Sequence, residues 1–415
     1  MTLNRRPRST SGDRELRLWK VGRALTITFA AAVLVSSSVF YGLVYLLDFQ
    51  EIDKTAKLDS QTLFDLVKLS FGVVAGAGAL VALVVAYRRQ RVDEAGAHRE
   101  ATRLHTERFT AAVEQLGSES PAVRLGGVHA LAGLADDAPD KGLRQTCIDV
   151  LCAYLRLPFS PDPAHLPDPL PDGTSPSEER RNAHQDKKDQ YRALREVRHT
   201  ILRLIGEHYR IPQGTHRSWQ GCNLDLTGVT IDSAMDFTGA TFSSGAVNFA
   251  NATFSSGNVR FSGATFSGGN VRFSGATFSG SYMLFDDATF SGSDVRFVAT
   301  KFSSGQVRFS RATFSDSNVD LFAATFSGSD VRFTGAMFSG GSVRFIATTF
   351  SGGSVRFDRA TFSGDSVHFD GAEFSGSDVH LTGTTGPAPT GLLEAVGDPV
   401  PPEVRLRPDW LPSAQ

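Results

Sequence analysis

Seven arginines share one sequence context: Arg260, Arg272, Arg296, Arg308, Arg332, Arg344 and Arg356 each stand one residue before a position that repeats every twelve residues, and His368 and His380 continue the series. A guanidinium is a planar cation with five fixed donors, suited to carboxylates and phosphates. The chemistry available to such a column is therefore recognition of anions. Two readings follow. In one, the arginines belong to a solvated β-face whose stems cover the sheet and pair with Asp294, Asp330 or Asp378. In the other, they form a ladder that docks an acidic protein partner or anionic lipid heads. These seven arginines are the candidate interaction residues.

Nothing in the chain adds a catalytic constellation. No phosphate-cradling loop, HExxH pair or nucleophile elbow occurs, and no Cys or His pair has zinc spacing, so the expectation is a non-enzyme without cofactor or metal. Ser and Asp are plentiful in the C-terminal half, where turn chemistry accounts for them. Segments such as GDSVHFDG are superficially like calcium-binding repeats, but the period is twelve and no Asp column recurs. Cys147, Cys152 and Cys222 have no paired spacing; they read as small apolar side chains in a reducing compartment.

The arginine series is anchored to phenylalanine. One register runs from Phe237 in steps of twelve to Phe369, with Leu321 substituting once and Leu381 ending it; the other runs unbroken from Phe242 to Phe374. Eleven Phe lie on the first and twelve on the second, of 31 in the chain. A fixed period of this kind means stacked structural repeats. In a unit such as ATFSGGNVRFSG (264–275), Ala264 and Phe266 are two apart, as are Val271 and Phe273. Within a short strand each pair points to one side, while Thr265 and Arg272 point to the other.

This alternation of small, polar and large residues closed by Ser-Gly corners resembles the pentapeptide-repeat family over about residues 219–385. The resemblance implies a right-handed four-sided β-solenoid, with core pairs Ala252 and Phe254, Val259 and Phe261, and Ala264 and Phe266. The chain departs from the family pattern in its steps, which alternate five and seven residues. Two closures remain open: four faces in 24 residues, or a flattened coil of 12. Packing favours 24, since a 12-residue coil has to house two Phe in a very thin interior. Six turns then span Phe237 to Leu381, roughly 29 Å at about 4.8 Å per strand. A coil of 12 would instead stack His368 on His380 and open a metal site.

The remaining chain sorts by composition. Residues 1–23 form a basic tail. No charge occurs from Ala24 to Leu47, and some 24 helical residues reach about 36 Å, enough for a hydrocarbon core; a second apolar run covers Leu69 to Tyr87. The expectation is a transmembrane hairpin over 24–87, and the surplus of Lys and Arg outside the connecting loop places both termini in the cytoplasm of a multi-pass cell-membrane protein. The Gly72 to Gly76 spacing would pack the spans or allow a homo-oligomer. Residues 88–157 read as a small helical region similar to HEAT or armadillo repeats, 158–185 as a Pro-rich linker, 186–218 as an amphipathic helix closing one end of the solenoid, and 386–415 as a Gly/Pro-rich tail.

The fold class expected is thus mixed: two transmembrane helices, a small all-α region and a β-solenoid. Function is expected to be that of a membrane-tethered cytoplasmic scaffold for an unidentified protein partner. The alternative, implied by the family resemblance, is a duplex-DNA mimic acting on a topoisomerase such as gyrase. The near balance of 42 basic and 44 acidic residues argues against nucleic acid as a partner. An ice-binding reading of Thr253, Thr265, Thr277 and Thr289 is undermined by having one Thr per strand.

Overall fold

The computed structural model describes residues 60–411 except 160, 161, 164–172, 174, 364 and 365, together with scattered positions between 26 and 45. The chain divides into two compact units, Met1–Glu100 and Ala101–Gln415.

In the first unit the described structure is helical. Helix α1, Ser60–Leu116, is 57 residues long and carries the apolar run 69–87 without a break into the Arg-rich stretch that follows it. Among the described residues, no helix is long and apolar enough to cross a membrane. The expectation of two transmembrane helices, and of a multi-pass membrane protein with it, is corrected on that finding. The first apolar run, Ala24–Leu47, falls for the most part outside the described residues.

Helices of the second unit are delimited by proline and by side-chain caps. Pro121 opens α2, Pro121–Asp136, where a missing N–H costs nothing. Asp140 accepts from Leu143 N at the start of α3, Lys141–Arg156. Helix α4, Glu178–Arg210, starts eight residues before the expected Asp186, because Ser177 caps it and Glu178 and Glu179 sit in its first turn. Ile148, Leu151, Leu155, Val197, Ile201 and Ile205 share one buried core with the rod that follows.

From Leu224 onward, two- and three-residue strands climb in a coil with four walls. Seven strands form the first wall, seven the second, eight the third and six the fourth, with parallel pairing on each. The register decides the closure: Phe278 pairs with Phe302 and Met283 with Val307, a step of 24. The first coil is one residue shorter, with Thr230 paired to Thr253. Phe rings of successive coils stack nearly parallel, as Phe285 on Phe309 at 4.7 Å and Phe309 on Phe333 at 4.8 Å. Both registers are buried, apart from Phe374 near the end, which is half-buried.

Two corner types make the five and seven spacings. At the short corner, the N–H of Ala240 reaches Phe237 O at 3.0 Å, with Gly239 at φ 69° between them. A turn of this kind needs a left-handed residue at its third position. Glycine fills it there, but Ala299, Ala323 and Ala347 hold φ of 54°, 53° and 52° at equivalent corners. The longer corner presses against the coil below. A Cβ on Gly340 would lie 1.9 Å from Ser315 O.

The helices close the base of the rod. Tyr209 packs edge-on to Phe237 at 5.7 Å and beside Phe242 at 5.6 Å, while its hydroxyl donates to Cys222 O at 2.7 Å. Gly206 lets the helix approach: a Cβ there would meet Asp236 O at 2.8 Å. Around this seam, carboxylates collect donors. Asp136 accepts from Trp219 Nε1 at 3.0 Å and Arg217 Nε at 3.0 Å, and faces His208 Nε2 at 3.2 Å. Burial alone would push the Asp136 carboxyl up; these hydrogen bonds outweigh it and hold the group below the usual range. Asp232 is likewise lowered against its burial, by Arg195 Nε at 2.5 Å and His199 at 2.7 Å. At the other end, the strand Val404–Arg405 pairs with Asp378–His380, and Leu392, Val396 and Trp410 are buried over the last coil.

Corner and seam each yield a stability prediction. Ala323→Gly removes a left-handed strain of about 1–2 kcal/mol against an entropic loss of about 0.5–1, so a net gain of roughly 0.5–1 kcal/mol is expected in chemical denaturation, with Gly263→Ala losing a similar amount. A depressed carboxyl contributes stability that is present above its unfolded pKa and is lost as pH falls through the folded one. Asp136→Asn should therefore cost about 1–3 kcal/mol at neutral pH and flatten the acid limb of a stability-versus-pH curve. An unchanged acid limb would contradict this account of the seam.

Candidate interaction surface

A twelve-residue unit used twice per coil gives opposite walls the same chemistry and adjacent walls different chemistry. Strands of the first and third walls are three-residue rungs such as Asn270–Arg272, Asp294–Arg296, Asp330–Arg332 and Ser354–Arg356. Their central Val is buried, and the two flanking residues face outward. Most strands of the second and fourth walls read Thr-Phe, with Phe inward, while Lys301, Met337 and Glu373 replace Thr in three. Charged and hydroxyl walls alternate around the rod.

The seven arginines fall into two lines. On the first wall stand Arg272, Arg296 and Arg344, with Asp320 in register between the last two and His368 above. On the third wall stand Arg260, Arg308, Arg332 and Arg356, with Leu284 interrupting and His380 then Arg405 continuing. His368 and His380 therefore stand on different walls, which removes the stacked metal site that a shorter coil would have built. Thr253 and Thr277 lie on the second wall, and Thr265 and Thr289 on the fourth.

Neighbouring carboxylates occupy much of this charge. Arg296 pairs with Asp294 at 2.5 Å and Arg332 with Asp330 at 3.2 Å, two of the partners expected from sequence. Asp378 pairs instead with His380, at 3.3 Å. Sequence reasoning missed three further pairs: Arg308 with Asp286 at 3.0 Å, Arg344 with Asp320 at 2.5 Å, and Arg311 with Asp287 at 2.6 Å. The last two join residues 24 apart, so scanning for opposite charges at that separation finds them. The hydrogen bond from Arg311 holds the Asp287 carboxyl below its usual range. Arg356 has a hydroxyl contact, its Nε donating to Ser354 Oγ at 3.3 Å.

The stems lie along the sheet. Nε of Arg308 and of Arg332 are shielded and without an acceptor, so only the ends of their forks reach the surface. On the first wall, Asp294, Arg296, Asn318, Asp320, Ser342 and Arg344 surround a depression of ≈ 330 Å³. Its acids and bases alternate, so it carries no large field of one sign.

Cys147 and Cys152 are buried. Burial pushes the thiol of Cys147 up to about 11 and that of Cys152 up to about 12, so both are un-ionised at neutral pH. Among the described residues, no group of His, Cys, Asp and Glu has the arrangement of a metal site.

Residues 226–277 match the family model for pentapeptide repeats, nine copies. No curated protein matches the chain. The matched segment covers the first coils, and the same register continues through Leu381 to the C-terminal cap. The chain carries a pentapeptide-repeat β-solenoid.

Proposed function

We propose that this protein is a non-catalytic interaction scaffold whose rod presents its charged first and third walls to protein partners. The observation that supports this most is the third-wall line, in which Arg308, Arg332 and Arg356 occupy consecutive rungs on a backbone held rigid by a stacked aromatic core. A wall whose side chains are ordered before contact loses little entropy on binding. Because acids and bases alternate on it, selectivity comes from matching charge pattern rather than from net charge. Mimicry of duplex DNA calls for lines of acid, whereas the lines here are mainly basic, so action on gyrase is the weaker reading.

Capture experiments with the immobilised full chain test this reading. Replacing Arg308, Arg332 and Arg356 together with Ser should weaken capture of third-wall partners by at least about tenfold, roughly 1.4 kcal/mol, and more so at low salt. The first-wall set Arg272, Arg296 and Arg344 serves as the comparison. Identical capture by the native chain and both triple variants would remove the walls as contact surfaces.

A further inference from the structure

We infer that the partner fitted by the third wall is a second copy of this chain, docked wall to wall about a two-fold axis parallel to the rod. The inference rests on the reading of the walls as contact surfaces and names the occupant of one of them.

Rungs of this wall present two outward side chains flanking a buried one, except that Ser354 is itself buried. A two-fold axis along the rod keeps height and reverses strand direction. The first outward residue of a rung then faces the second outward residue of the same rung in the other chain. Such a contact is favourable only if every rung is complementary to itself, because a two-fold interface uses one patch twice.

Most rungs of the third wall meet that condition. Asp330 and Arg332 share one rung, and Asp378 and His380 another. At the last strand, Glu403 precedes the buried Val404, and Arg405 follows it. In all three the acid comes first and the base second, so each would supply two cross-chain pairs. Two rungs lack a base. In the lowest, Asp236 stands in the arginine position opposite Ala234 and is already held by Arg210 at 2.8 Å. The other changes at both positions. Leu284 stands where Arg would be, and Tyr282, 44% exposed, stands where the polar residue would be. Apolar side chains then face apolar ones. In the rungs of Arg260 and Arg308 the opposing residues are Asn258 and Gln306, both able to accept a hydrogen bond, while Ser354 in the rung of Arg356 is buried. No rung opposes like charges.

The first wall is poorer under the same operation. It has one acid-base rung, Asp294 and Arg296, against three on the third wall. An unrelated acidic protein suits the third wall less well, because Asp286 and Asp330 already offset two of its cations. Eight strands at about 4.8 Å and a width of about 13 Å give on the order of 900 Å² over both chains, in the weak and reversible class of interface.

Sedimentation velocity of the full-length chain at high concentration and low salt tests the inference. The native chain should show a reversible dimer. Asp330→Arg makes an Arg/Arg rung and Arg332→Asp an Asp/Asp rung; each alone should weaken self-association about tenfold, a change of about 1.4 kcal/mol. An equimolar mixture of the two should restore it, because the unlike rungs then oppose each other. Thermal unfolding of both variants should match the native chain. A monomeric native chain, single variants that associate as the native chain does, or a mixture no stronger than its components would each overturn the proposal. If the native chain is monomeric yet loses capture of other proteins when Arg308, Arg332 and Arg356 are replaced, the second copy is excluded and the contact role of the wall stands.

Discussion

Everything regular in this molecule follows from one requirement: aromatic rings at two positions of every twelve have to leave water together. A buried Phe is worth on the order of 1.5–3 kcal/mol, and a glycine-rich chain loses much entropy on ordering. Short strands of two or three residues have no stability of their own. They persist because nearly every Phe lies flat on the one a coil below, as Phe309 does on Phe285 and Phe290 on Phe266. The coil of 24 residues is the closure that gives the rings such neighbours.

Fixing the interior fixes the exterior. Once Phe and the small or Val residue before it point inward, the residue between them points out, and its identity repeats along a wall at each coil. Because the twelve-residue unit is used twice per coil, arginine lines appear on two opposite walls and threonine lines on the other two. The corners adjust without disturbing this pattern. Left-handed residues close the tight turns, and glycines let the wider ones rest against the coil below. A rigid frame with freely variable outer positions is well suited to presenting surfaces.

The rod was largely legible in the sequence, because a strict period is a long-range signal written locally. The Phe registers give strands, inward faces and the coil length once packing is weighed, and the apolar face of the helix ending near Tyr209 gives the closure of the base. The ion pairs were only partly legible. Asp294 and Asp330 lie two residues from their arginines, whereas Asp320 meets Arg344 and Asp287 meets Arg311 only because the coil brings residues 24 apart together. The seam at Asp136 was not legible at all: its partners His208, Arg217 and Trp219 come from about seventy to eighty residues away with no repeating pattern. The apolar run 69–87 shows the opposite failure, in which composition suggested spans that the described helices do not support.

The most direct test of the buried rings compares two phenylalanines in one denaturation experiment. Phe309 lies in the register and is 1% exposed, while Phe322 lies off it and is 46% exposed. Phe309→Ala is predicted to lower the unfolding free energy by about 3–5 kcal/mol and Phe322→Ala by no more than about 0.5. Equal losses at the two positions, or a negligible loss at Phe309, would contradict the claim that stacked rings hold the rod together.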